Sequence, residues 1–132
     1  MAVDVLPAMP LFASGDDVAG AIAVAAGAAG IAICAEDVVV VAQKIVSKAE
    51  GRSLRLADVE PDPQAMELSA LAVRSPQLAR LILDEAQAVM RATPFAVITR
   101  HRMGHVTANS GIDASNVTDG EDATVLLWPR DP

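Results

Sequence analysis

Apolar positions along the chain form short extended runs, helical stripes and one continuous block. Val3 to Leu6 reads as a short strand stopped by Pro7, and Met9-Pro10-Leu11-Phe12 follows as a constrained apolar turn. Ser14 has the character of a helix N-cap, with Asp16 and Asp17 facing the helix dipole. Val18, Ala21, Ile22, Ala25 and Ala29 then share one helical face, closed by Gly30. Val38 to Ile45 is unbroken apolar sequence up to Gln43 and Lys44, and it predicts a central strand covered on both faces. Arg52 to Leu56 alternates like a second strand. Asp62-Pro63 and Ser75-Pro76 each pair an N-cap with a proline at the first helical position, so each starts a helix. Leu78, Leu81, Ile82, Ala86 and Val89 fall on one stripe of the latter. Phe95 to Thr99 and His105 to Ala108 flank Arg100-His-Arg-Met-Gly104 as a hairpin, and Ala123 to Trp128 is a last strand. These elements do not alternate as βαβ units. They predict an α+β fold, with a mixed, mostly antiparallel sheet and about three helices, in a single domain over residues 1–132.

Polar residues inside the apolar stripes are the first candidates for chemistry. Glu85 shares a face with Leu81 and Ile82, so it either reaches water at the stripe margin or pairs with a basic residue. His101 and His105 straddle the presumed turn. Their rings are expected to diverge there and, with no third ligand evident, not to form a zinc pair. Arg100, His101 and Arg102 read as an exposed basic tip, and Cys34, among Ile, Ala and Val, as a small buried hydrophobe.

Composition narrows the function classes. With 52% apolar residues there is no case for disorder, and with one Trp, two Phe and no Tyr there is no aromatic platform for single-stranded nucleic acid. A net charge of −7 also disfavours a phosphate backbone as partner, while leaving room for a small anion in a locally basic pocket. A single cysteine excludes a disulfide framework and points to a reducing cytoplasm. The N-terminus has no basic n-region or apolar core of signal length, and the Ala/Gly-rich stretch from Val18 to Ala35 is too weakly hydrophobic to span a membrane. A soluble protein is expected.

Two segments carry chemistry. Lys44 and Lys48 are the only lysines, four residues apart at the end of the most apolar run. In an extended segment they would lie about 13 Å apart on one face and suit two anionic groups. In a helix their Cβ atoms approach to about 6 Å and suit one phosphate. Solvation of a sheet edge is the bland alternative. The second segment, Asn109-Ser-Gly-Ile-Asp-Ala-Ser-Asn116, is small and polar around Gly111, with Asp113 as its one carboxylate. Magnesium takes one or two carboxylates plus substrate phosphates, so Asp113 suits such an ion, with Ser115 or Asn116 nearby; an Asx-type turn between strands is the alternative. No Gly-rich loop leads to a Lys-Ser/Thr pair, and the Gly-Ile-Asp-Ala-Ser string lacks the spacing of a nucleophile elbow.

Gly15-Asp-Asp17, the string Asp37-Val-Val-Val-Val-Ala-Gln-Lys-Ile-Val-Ser-Lys-Ala-Glu-Gly51, Leu56-Ala-Asp-Val, and Ala108-Asn-Ser-Gly-Ile-Asp-Ala-Ser-Asn-Val117 together resemble the coenzyme F-420-0:γ-glutamyl ligase family. The likeness runs to Leu127-Trp-Pro-Arg-Asp-Pro132. It implies a GTP-dependent ligase that joins the α-amine of L-glutamate to a carboxylate on the phospholactyl tail of a deazaflavin cofactor, then extends through γ-linkages. The implied course is phosphoryl transfer from GTP to give an acyl phosphate, which the amine attacks, with magnesium or manganese at the phosphates. By position in the motifs, Asp113 matches a metal ligand, while Gln43, Lys44, Lys48 and Asn116 match nucleotide contacts. Met9, Pro10, Leu11 and Phe12 match a short N-terminal nucleotide-contacting turn. The resemblance also implies dimerisation. Members of the family continue for roughly this length again, and that further half supplies an Asp-Thr metal pair and another nucleotide-binding segment. The alternatives are therefore one half of a split ligase, a non-catalytic nucleotide-binding or assembly module, or an acidic interaction domain.

Overall fold

The computed structural model describes residues 2–7, 9–72, 75–115 and 123–131. Two compact units divide the chain: residues 1–52 with 129–132, and residues 53–128. The class is α+β, with four helices and two antiparallel sheets, of three and two strands, among the described residues.

In the first unit, α1 (Val18–Ala28) is capped by Asp17, whose carboxylate accepts from Gly20 N–H at 2.9 Å. The cap expected at Ser14 is thus displaced by three residues, because Asp17 is adjacent to the first helical residue and reaches the free N–H groups directly. Val3 to Leu6 forms no strand. The apolar run from Val38 also departs from expectation. Val38 and Val40 are 86% and 90% exposed, no described strand pairs with them, and the chain turns helical at Gln43. A β run needs a partner for its backbone groups, whereas Gln, Lys and Ala are good helix formers that supply their own. Hence α2 (Gln43–Ala49) replaces the end of the predicted strand. Cys34 is exposed rather than buried. It sits in a tight turn, donating its N–H to Asp37 Oδ2 at 2.7 Å while its carbonyl accepts from Asp37 N–H. Glu50, just past α2, accepts from the N–H groups of both Arg130 and Asp131, which ties the segment after Trp128 to this unit.

In the second unit, β1 (Ser53–Arg55) pairs antiparallel with β5 (Thr124–Leu126), with Leu54 opposite Val125. A 3-10 turn at Leu56–Asp58 leads to α3 (Pro63–Ala72) and α4 (Pro76–Glu85). Both proline-started helices form as expected. Asp62 accepts from Ala65 N–H at 2.8 Å and Ser75 from Leu78 N–H at 3.1 Å. Arg80 pairs with both Asp62 and Asp84, and the Ala65 N–H, followed by Arg80, holds the Asp62 carboxyl below its usual range.

The α4 stripe stops at Glu85 instead of reaching Val89, because β2 (Ala86–Thr93) begins at once. Its sequence, Ala-Gln-Ala-Val-Met-Arg-Ala-Thr, is locally helix-favouring, yet it pairs with β3 (Ala96–His101) across the Pro94-Phe95 turn. Ladder hydrogen bonds to a ready neighbour outweigh propensities worth only tenths of a kcal/mol per residue, about 0.5 or less. Two register shifts bend this edge strand. β4 (Val106–Ala108) completes the order β2-β3-β4. The central strand alternates strictly, with Val97, Thr99 and His101 buried.

Leu68, Leu78, Leu81, Ile82, Val97, Ile112, Val125 and Leu127 form the core of this unit. Ile82 is fully buried, so Ile82→Ala should lower the stability of this unit by about 3 kcal/mol through lost transfer energy and a cavity. Trp128 is the only tryptophan, and its fluorescence during urea denaturation measures the change.

Candidate functional site

Helix α2 decides between the two lysine geometries. Gln43 opens it, and Lys44 and Lys48 stand one turn apart on the same face, the arrangement that suits a single phosphate. Lys44 is exposed and Lys48 half-buried, and Lys48 falls in the last turn, where a positive charge complements the helix dipole. Met9, Pro10, Leu11 and Phe12 belong to the same unit, in the irregular segment before α1. Pro10 lines an apolar cavity of about 390 Å³ with Pro7, Ala21, Val24 and Ala28, while Leu11 is 97% exposed.

Asp113 belongs to the second unit, at the end of an unusual turn. Asn109, Ser110 and Gly111 all have positive φ, at 52°, 53° and 70°. A left-handed conformation costs a residue with a Cβ about 1–2 kcal/mol, so something must hold it. Asn109 Oδ1 accepts from Val97 N–H at 3.1 Å. Ser110 is fully buried: its N–H donates to Thr99 Oγ1 at 3.0 Å, the two hydroxyls lie 3.0 Å apart, and its own hydroxyl donates to the Ile82 carbonyl at 2.8 Å. With the Ser110 O–H given to Ile82, the Thr99 O–H is left to donate, with Ser110 Oγ at 3.0 Å and the Thr107 carbonyl at 3.4 Å as its acceptors. Gly111 is obligatory, since a Cβ there would meet the Trp128 ring.

Beyond buried Ile112, Asp113 exchanges two backbone hydrogen bonds with Leu126, at 2.8 and 3.0 Å. Its Oδ1 accepts from Ser115 N–H at 2.9 Å, so the Asx-type turn is present. Hard oxygen of this kind fits magnesium or manganese as one ligand of a phosphate-bound ion. It does not amount to a preassembled cage, because no cluster of three or more His, Cys, Asp or Glu groups occurs among the described residues. Asn116 lies outside the described residues.

The hairpin holds a network that the sequence showed only in part. Glu85 is 4% exposed and takes the paired alternative: Arg102 bonds its two oxygens at 3.0 and 3.1 Å, and His101 Nε2 lies 3.3 Å from Oε2. His101 is buried rather than part of an exposed tip. Its Nδ1 accepts from Met103 N–H at 3.2 Å, which leaves the proton on Nε2, directed at Glu85. The His101 and His105 rings do not diverge. They stack at 4.7 Å and 15°, because they face each other across the end of the β3–β4 ladder, and His105 also packs on Trp128 at 4.7 Å. Ser110 and Thr99 carry no sequence signal of burial. The one hint available was a run of three residue types, Asn-Ser-Gly, that tolerate or favour turns.

The family model for F420-0:Gamma-glutamyl ligase matches residues 8–132. A coenzyme F420:L-glutamate ligase from Methanothermobacter thermautotrophicus is 40% identical over 124 residues, covering 94% of this chain and 48% of that protein. Its counterpart in Archaeoglobus fulgidus is 36% identical, covering 100% of this chain and 50% of the relative. One from Halobacterium salinarum is 38% identical, with coverages of 99% and 49%. The chain thus spans about half the length of these relatives. No helix among the described residues is long and apolar enough to cross a membrane.

Burial, opposed by Glu85 and reinforced by His105, holds His101 below its ordinary 6.5. The unfolded chain therefore takes up a proton below pH 6.5 that the folded unit refuses, so this contribution is fully present above 6.5 and is lost as pH falls toward the folded value. Urea midpoints should drop between about pH 7.5 and about pH 5.5, and His101→Gln should flatten that drop. An equally steep drop in the variant would assign the effect to other groups.

Proposed function

This chain belongs to the F420-0:γ-glutamyl ligase family, and from that premise we propose that it serves a GTP-dependent reaction joining L-glutamate to the deazaflavin precursor F420-0. The observation that carries this reading is the pair Lys44 and Lys48, one helical turn apart on α2 within the Gln-Lys-Ile-Val-Ser-Lys-Ala-Glu-Gly string. Two ammonium groups at that spacing bind one phosphate as point charges and stabilise the charge that moves as a phosphoryl group transfers. Gln43 adds an amide at the start of the helix, and by position in the family motifs Met9 to Phe12 and Asn116 are assigned to nucleotide contact as well. A magnesium or manganese ion accompanying GTP would be held in part by Asp113 and would offset phosphate charge.

The reaction balances as follows. A carboxylate oxygen of the acceptor takes the γ-phosphoryl group, and GDP leaves. The amine of glutamate attacks the acyl carbon, phosphate departs with the bonding pair, and the amine gives up a proton to leave an amide. γ-Linked extension repeats the cycle on a glutamate side chain, and a homodimer is the proposed working form.

A second reading follows from the coverage of about half of each relative: a nucleotide-holding module whose ligation needs a further polypeptide. Mass spectrometry of F420-0 incubated with GTP and glutamate separates the two. Glutamylation by this chain alone supports the first, and glutamylation only after adding the remaining region of the Methanothermobacter relative supports the second.

Calorimetric titration of GTP with magnesium tests the shared premise. Losing one charge-assisted hydrogen bond, about 1.5–3 kcal/mol, should weaken binding about tenfold or more in Lys48→Ala. Arg91→Ala, on an exposed stretch of β2, should bind as wild type does. Heat no greater than dilution from the wild-type protein would remove the nucleotide-binding premise altogether.

A further inference from the structure

We propose that Ser110 is a positioning residue for Asp113, and that its buried hydroxyl sets where that carboxylate is presented to a divalent cation. The proposal rests on the metal-ligating reading of Asp113 and deepens it.

Glycine would adopt the φ of 53° at position 110 without strain, yet the position holds a fully buried serine whose hydroxyl and N–H join three elements. The hydroxyl donates to the Ile82 carbonyl in the last turn of α4. That carbonyl has lost its regular helical donor, because Ala86 N–H turns to Leu83 instead. Thr99, buried on the central strand β3, receives the Ser110 N–H and returns its own hydroxyl. The turn is thereby fastened to a helix end and to the middle of a sheet.

From this anchor to Asp113 there is one intervening buried side chain, Ile112, beyond Gly111 against Trp128. Asp113 is then clamped by its two backbone bonds to Leu126. With the chain held on both sides of it, the carboxylate keeps little freedom beyond its own side-chain torsions. Supporting residues of this sort determine how well a ligand group meets its metal, and their loss commonly weakens binding 10–100-fold.

The test uses the whole chain, Mn²⁺ with GTP as probe, and electron paramagnetic resonance of free Mn²⁺ as readout. Hydrogen exchange at the Asp113 amide serves as a second readout that needs no metal. Ser110→Ala should weaken Mn²⁺ binding about tenfold and speed Asp113 exchange, and Ser110→Gly should do the same although it relieves the backbone. Thr99→Val should follow them, while Thr99→Ser, which keeps the hydroxyl, should restore wild-type behaviour. Leu68→Val, in the core on α3, serves as a control for a general loss of stability.

Weakening in Leu68→Val to the same degree would make the effect merely structural and overturn the proposal. If Asp113→Asn binds Mn²⁺ as wild type does, or wild type does not bind it, the metal reading falls and the proposal with it. If Asp113→Asn fails to bind while Ser110→Ala and Thr99→Val bind normally, the metal reading stands and the positioning role is refuted.

Discussion

The last turn of α4 is where the second unit is fastened together, and the hydroxyl of Ser110 is the central tie. A helix end leaves carbonyls without partners, and in a buried setting each must be satisfied. Here the Ile82 carbonyl is met by a side chain from a distant turn, and that turn is bound back to β3 through Thr99. A bond that closes a helix end, a strand and a loop at once constrains far more than its own energy suggests. The left-handed backbone at Asn109 and Ser110 is the cost of bringing the hydroxyl into position.

Three residues further along α4, Glu85 makes a parallel connection of a different kind. Its carboxylate is almost wholly removed from water, and a lone charge there would be prohibitive. Arg102 and the Nε2 proton of His101 supply the compensation, and Arg102 N–H also bonds the Glu85 carbonyl at 3.0 Å. The hairpin of β3 and β4 is thus locked to the helix by polar groups, with the stacked rings of His101 and His105 between them and Trp128. Histidine in this environment works as a neutral donor held in one tautomer. That explains a structural role for side chains whose spacing invites a search for zinc.

In the first unit the decisive event is a change of secondary structure within a single motif. Strand geometry would have placed the two lysines far apart along one face; the helix beginning at Gln43 gathers them onto one turn. The family string therefore works as a compact cationic step rather than a charged ladder. Its final acidic residue, Glu50, has a different task, because it accepts two backbone N–H groups from the segment after Trp128. One string of residues thus divides between charge presentation and chain anchoring.

Much of the architecture was legible in the chain itself. Proline after a capping residue marked the starts of α3 and α4, alternation marked β1, and glycine at 104 and 111 marked turns, because these signals act through local sterics and hydrogen bonds. The lysine and Asp113 motifs were also readable as candidates, while residue type and spacing left a solvated edge and an Asx-type turn open beside them. What local pattern could not supply was the choice of partner. Whether Ala86–Thr93 is helix or strand, whether Val38 to Ala42 is paired, and whether Glu85 meets water or arginine depend on which groups lie opposite in space. The burial of Ser110, His101 and Thr99 belongs to the same class. Local sequence determines where backbone groups start looking for hydrogen bonds, and only tertiary structure determines where they find them.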